Sequence, residues 1–71
     1  MVEVFKTNIT RPEDAYRILR IIHSSLPSHK ASFDLDDCDK ILRVVNQDNE
    51  ICSSLIIKMI QEIGFKAAIL T

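Results

Sequence analysis

The stretch ASFDLDDCDKILRVV, residues 31–45, decides the fold. Ala31, Phe33 and Leu35 alternate with Ser32 and Asp34, the signature of a half-buried strand with one polar side, as an edge strand has. Asp36-Asp37-Cys38-Asp39 then breaks the apolar run with residues that favour turns, and Lys40 to Val45 resumes it, so the pair reads as a β-hairpin.

Helical patterns lie on both sides of that hairpin. From Thr10 to Leu26, Ala15, Ile18, Leu19, Ile22 and Leu26 recur at the three- and four-residue spacing of one helical face. Thr10-Arg11-Pro12-Glu13 fits a capping box, with Thr10 as the N-cap, and Pro27 predicts a stop near Ser25 or Leu26. Between Asp48 and Ile63, Cys52, Ile56, Met59, Ile60 and Ile63 share a face. The polar connection Asn46 to Glu50 puts acidic residues near that helix's start, and Gly64 is suited to end it in the left-handed conformation. Val2 to Thr7, β-branched and aromatic, and Phe65 to Leu70 read as the outer strands in chain order.

Strand, helix, strand, strand, helix, strand on 71 residues predicts an α+β fold, the ferredoxin-like βαββαβ two-layer sandwich, with a four-stranded antiparallel sheet and two helices on one face. Right-handed crossovers place the first and third strands at the centre. Residues 1–71 are expected to form a single domain, since a chain this short buries only about 60% of the surface its unfolded state exposes and has room for one core.

Composition narrows the function. A formal net charge of −1 provides no global basic field, so no nucleic-acid partner is expected. No run approaches the roughly 20 apolar residues that span a bilayer, so no membrane association is expected either. The two cysteines and the missing secretory pattern predict a cytoplasmic protein with reduced thiols.

Two motifs carry a resemblance. Ile60-Gln61-Glu62-Ile63-Gly64-Phe65-Lys66-Ala67 is similar to the I-x-x-x-G-[FY]-x-A helix end of the heavy-metal-associated domain, the small βαββαβ module of copper chaperones and of metal-transporting ATPases, and Phe33-Asp34-Leu35 resembles the V-D-L of its second strand. The resemblance covers nearly the whole chain in pattern and implies the same fold. The family's function rests on M-T-C-x-x-C, whose two thiolates bind a soft metal ion. The matching stretch here is Ile9-Thr10-Arg11-Pro12-Glu13-Asp14, with Arg11 and Asp14 at the cysteine positions. An arginine cannot coordinate a metal, so the resemblance implies the fold without the family's metal site.

Other candidate chemistry is sparse. Cys38 and Cys52 have no C-x-x-C or C-x-x-H spacing; Cys52 falls on the apolar stripe of the second helix and is expected in the core, while the aspartates around Cys38 disfavour its thiolate. Asp34, Asp36, Asp37 and Asp39 invite a cation, but an EF-hand's glycine and twelfth-position glutamate are missing, so a solvated acidic turn is expected. Cys38 with Asp36, Asp37 and Asp39 remains the alternative ligand set for a divergent metal-binding domain. His23 and His29 read as surface residues at the end of the first helix, and Glu13 and Arg17 as an i,i+4 pair.

No catalytic constellation and no cofactor site can be assembled, so the sequence predicts a non-enzyme. Its leading expectation is a protein-interaction or self-association module. Three strands carry apolar residues at both parities: Val2 and Val4 beside Phe5, Ile41 and Val45 beside Leu42 and Val44, Ala67 and Ile69 beside Ala68 and Leu70. Helices cover one face of such a sandwich, so one member of each set must look outward. Val2, Val4, Ile41 and Val45 are the interface candidates, for a protein partner or a homodimer through the open sheet face.

Overall fold

The computed structural model describes residues 1–36, 38–47 and 50–70. Its elements run β1 (Val2–Thr7), α1 (Pro12–Ser25), β2 (His29–Asp34), β3 (Ile41–Asn46), α2 (Ser53–Ile63) and β4 (Ala67–Ile69). The four strands form one antiparallel sheet in the order β2-β3-β1-β4, so β1 and β3 are central and β2 and β4 are edges. This is the expected α+β ferredoxin-like sandwich.

Its core follows from two periodicities. Phe5, Leu42 and Val44 sit at one parity of the central strands; Ile18 and Ile22 of α1 and Ile56 and Ile60 of α2 recur four apart. These side chains, with Ile9 just beyond β1, are fully or almost fully buried in a single cluster. Burying one such side chain stabilises the fold by about 1.5–3 kcal/mol, so this cluster holds the two layers together.

Short polar fastenings set the connections. Thr7 Oγ1 donates to the Lys40 carbonyl (2.7 Å), Thr7 N–H to the Asp39 carbonyl (3.1 Å) and Lys40 Nζ to the Leu35 carbonyl (3.0 Å). Together they close the β2–β3 loop, where Lys40 adopts a positive φ of 50°. At the end of α2, Gly64 takes φ 107°, and its N–H and that of Phe65 bond to Gln61 O (3.0 Å) and Ile60 O (3.1 Å). A Cβ at Gly64 would meet nothing within 4 Å, so the backbone angle alone favours glycine there.

Several boundaries differ from expectation for identifiable reasons. The first helix starts one residue late: its N-cap is Arg11, with no side-chain cap bond, because Pro12 occupies the first-turn position that needs no N–H. Thr10 therefore does not cap it. Glu13 turns to Arg11 Nε (2.6 Å) instead of Arg17. The second helix begins at Ser53, so no acidic residue lies in its first turn, and Asp48 falls outside the described residues. Cys52 is that helix's exposed N-cap and no core residue, because the helix begins one residue after it although the apolar spacing continues back to it. β4 is shorter than expected because the Phe65 N–H completes the helix end and the Lys66 N–H donates to Asn8 Oδ1 (2.8 Å).

Candidate interaction face

Strand register determines what the helix-free face presents. In one row Lys30, Val45 and Val2 lie side by side; in the next come Ser32, Arg43 and Val4, and in the third Asp34, Ile41, Lys6 and Ala68. Leu70 joins the second row, its N–H donating to the Val4 carbonyl (2.9 Å). All four interface candidates, Val2, Val4, Ile41 and Val45, thus share this face, while their chain neighbours Phe5, Leu42 and Val44 are sealed on the other.

The face mixes apolar and charged side chains, with Arg43 in its middle row and Lys30, Asp34 and Lys6 towards its margins. Val2 is 56% exposed and Leu70 39% exposed; Val4, Ile41 and Val45 are half-buried by their neighbours. Ser32, Asp34, Ile41, Arg43, Val4 and Leu70 line a concavity of about 380 Å³ across the sheet. Lys6, Lys30 and Arg43 supply three positive charges against the single negative Asp34. Among the described residues none of these four charges has an ion-pair partner, since the one salt bridge is Arg11–Glu13 on the outside of α1.

Among the described residues, those considered for metal binding do not converge. Arg11 and Asp14 sit at the start of α1, joined through the Asp14 N–H and the Arg11 carbonyl (3.1 Å). Cys38, Asp36 and Asp39 are exposed in the β2–β3 loop, and Asp37 lies outside the described residues. Asp34 Oδ1 accepts the Asp36 N–H (3.2 Å), a local turn contact. Among the described residues no three His, Cys, Asp or Glu side chains are placed to hold a metal ion.

Other polar groups have structural partners. His23 is exposed on α1, and its Nε2 accepts the Ala31 N–H (3.1 Å) from the edge strand β2. His29 is half-buried as the first residue of β2, beside Ser28 Oγ (3.3 Å) and Asn46 Nδ2 (3.5 Å). Cys52 lies 3.6 Å from Ser54 Oγ; that hydroxyl, and then the Leu55 N–H, hold its thiol pKa below the ordinary value. Sequence reasoning missed the His23–Ala31 bond, since eight residues and a turn separate the two and no local motif marks such a contact.

Among the described residues no helix is long and apolar enough to cross a membrane. Comparison with protein-family models, with curated proteins and with solved structures finds no match for this chain.

Proposed function

We propose that the chain is a non-catalytic interaction module that docks its open sheet face onto another protein, one whose contact surface is apolar with acidic groups set into it. The observation that carries this reading is the make-up of the face: Val2, Val4, Ile41, Val45 and Leu70 at one continuous parity, set among Lys6, Lys30 and Arg43. Apolar area of this kind favours burial, and unpaired cations favour an acidic counterpart. Two copies meeting face to face would bring three cations against three, which argues for a different partner. The central strands present no outward aromatic, so bases have no stacking platform and a protein fits better than nucleic acid.

The module is read as a relative of heavy-metal-associated domains in which the metal loop has become a plain helix start. Arg11 at the N-cap and its pairing with Glu13 support that. Exposed, unbridged Cys38 and Cys52 suit a reducing compartment such as the cytoplasm.

The test compares partners retained by the wild-type chain, by the double variant Val4→Asp/Arg43→Glu, and by Leu55→Ser on the exposed side of α2. Circular dichroism confirms that all three fold. A protein partner held by the wild type and by Leu55→Ser, lost with the double variant, is the expected result. Retention by the double variant, or nucleic acid as the retained species, overturns the reading.

A further inference from the structure

The free side of the edge strand β2 follows from the ladder it borders. Asn46 N–H donates to Met1 O (2.9 Å), so Leu42, Val44 and Asn46 bond toward β1, and Ile41, Arg43 and Val45 bond toward β2. Their register partners Asp34, Ser32 and Lys30 therefore face β3, which leaves the N–H and C=O of Ala31 and Phe33 directed off the sheet. The Ala31 N–H, bonded to His23 on α1 rather than to β3, shows the same alternation independently.

We propose that two copies of this chain join edge to edge, β2 against β2, antiparallel about a two-fold axis at Ser32. The backbone fits this register. Ala31 of each copy falls opposite Phe33 of the other, and each pair exchanges two N–H···O bonds, so four outward donors are satisfied.

The side chains fit it too. Lys30 of each copy falls opposite Asp34 of the other, on the open face, and the axis creates this pair twice. Within one chain Lys30 is opposed by Val45 and Asp34 by Ile41, so both charges lack a cross-strand counterpart. An axis at Lys30 or at Asp34 would set like charges opposite each other, which destabilises; an axis at Ala31 would leave both unpaired, and one at Phe33 would set Asp34 opposite Ser32 and Lys30 opposite Asp36, beyond the end of the strand. Within His29–Asp34, only an axis at Ser32 pairs both charges with opposite ones.

Beside this edge, Tyr16 and Leu19 of α1 and Phe33 and Leu35 line a groove of about 280 Å³, and Tyr16 is 70% exposed. Asp34 and Asp36 line it as well, and the two-fold brings both copies of this mixed groove toward the seam. The contact remains small, which places the dimer at the weak end of specific association. His23 opposes it, because the Ala31 N–H must leave the imidazole to reach the second copy. The proposal goes beyond the open-face reading: edge pairing leaves that face uncovered and extends it across an eight-stranded sheet.

Sedimentation equilibrium of the full chain at low salt, over micromolar to millimolar concentration, tests it. Lys30→Asp alone and Asp34→Lys alone each place like charges at both ends of the seam and weaken self-association by at least about tenfold. Mixed in equal amounts, the two variants restore it, because the introduced aspartate of one chain then meets the introduced lysine of the other, and Lys30 of the second chain meets Asp34 of the first. His23→Ala, which frees the Ala31 N–H, strengthens association, and Val4→Asp on the open face leaves it unchanged. A wild-type chain that stays monomeric to about 1 mM, the top of the weak-affinity range, overturns the proposal, as does a mixture that fails to restore the dimer. Loss of the dimer with Val4→Asp but not with the charge variants also overturns it, because the copies would then meet through their faces.

Discussion

The two faces of the sheet are built from similar residues and end in opposite conditions. Val44 and Val45 are adjacent on β3; Val44 is fully buried under the helices, while Val45 is half-buried on the open side. Leu42 and Ile41 repeat the contrast at the start of the strand. Apolar character therefore does not say which face a central-strand residue serves. Charge says more: Arg43 shares its parity with Ile41 and Val45, and Lys6 shares its parity with Val2 and Val4, marking those positions as outward. Glu3 runs against the rule, half-buried at the covered parity near the start of β1.

Truncating neighbours on opposite faces separates the two most. Leu42→Ala removes a fully buried side chain from the core and should cost about 3 kcal/mol. Ile41→Ala on the open face should cost less than about 1 kcal/mol, since solvent already reaches that position. Urea denaturation of both variants measures the difference. Equal losses would mean that the open face is covered in the isolated chain.

Asn46 is the polar exception on the covered face, 3% exposed at the end of β3. Its Nδ2 donates to the Glu50 carbonyl (3.4 Å) and lies 3.5 Å from His29 Nε2, while its main chain bonds with Met1. It thereby ties the β3–α2 connection and the N-terminus to the sheet. Asn46→Ala should destabilise by about 1–2 kcal/mol, because it leaves the Glu50 carbonyl without this donor. Thermal unfolding of the variant checks it, and no loss would show that the amide bonds are replaced by water at no cost.

Most of the architecture was legible because the signals are periodic. Alternation over Ala31 to Leu35, the four-residue spacing of Ile18 with Ile22 and of Ile56 with Ile60, and the stop at Gly64 each depend on local geometry alone. Element starts were less legible. Cys52 fits the apolar spacing of α2, yet the helix begins after it, and nothing local distinguishes an N-cap cysteine from a core one. The candidate face was legible as a set of residues, Val2, Val4, Ile41 and Val45, but not the placing of Arg43, Lys6, Lys30 and Asp34 among them, which requires strand register. The His23–Ala31 bond is a tertiary contact between a helix and a sheet edge, so it emerges only from the folded arrangement.

The smallest expected effects lie where the covered face gives way to solvent, between fully buried Ile9 and exposed Thr10. A capping box assigns Thr10 a cap worth about 1 kcal/mol; with the N-cap at Arg11, that cap does not exist. Arg11 is a poor occupant of its position. It offers no acceptor to the first-turn N–H groups and places a positive charge at the positive end of the helix, offset only by an exposed pair with Glu13. Arg11→Asp, which supplies both an acceptor and a favourable charge, should stabilise the domain by about 1 kcal/mol. Thr10→Ala should change stability by less than about 0.5 kcal/mol. Urea midpoints of the two variants distinguish the two helix starts: a loss of about 1 kcal/mol in Thr10→Ala, with no gain in Arg11→Asp, would move the N-cap back to Thr10.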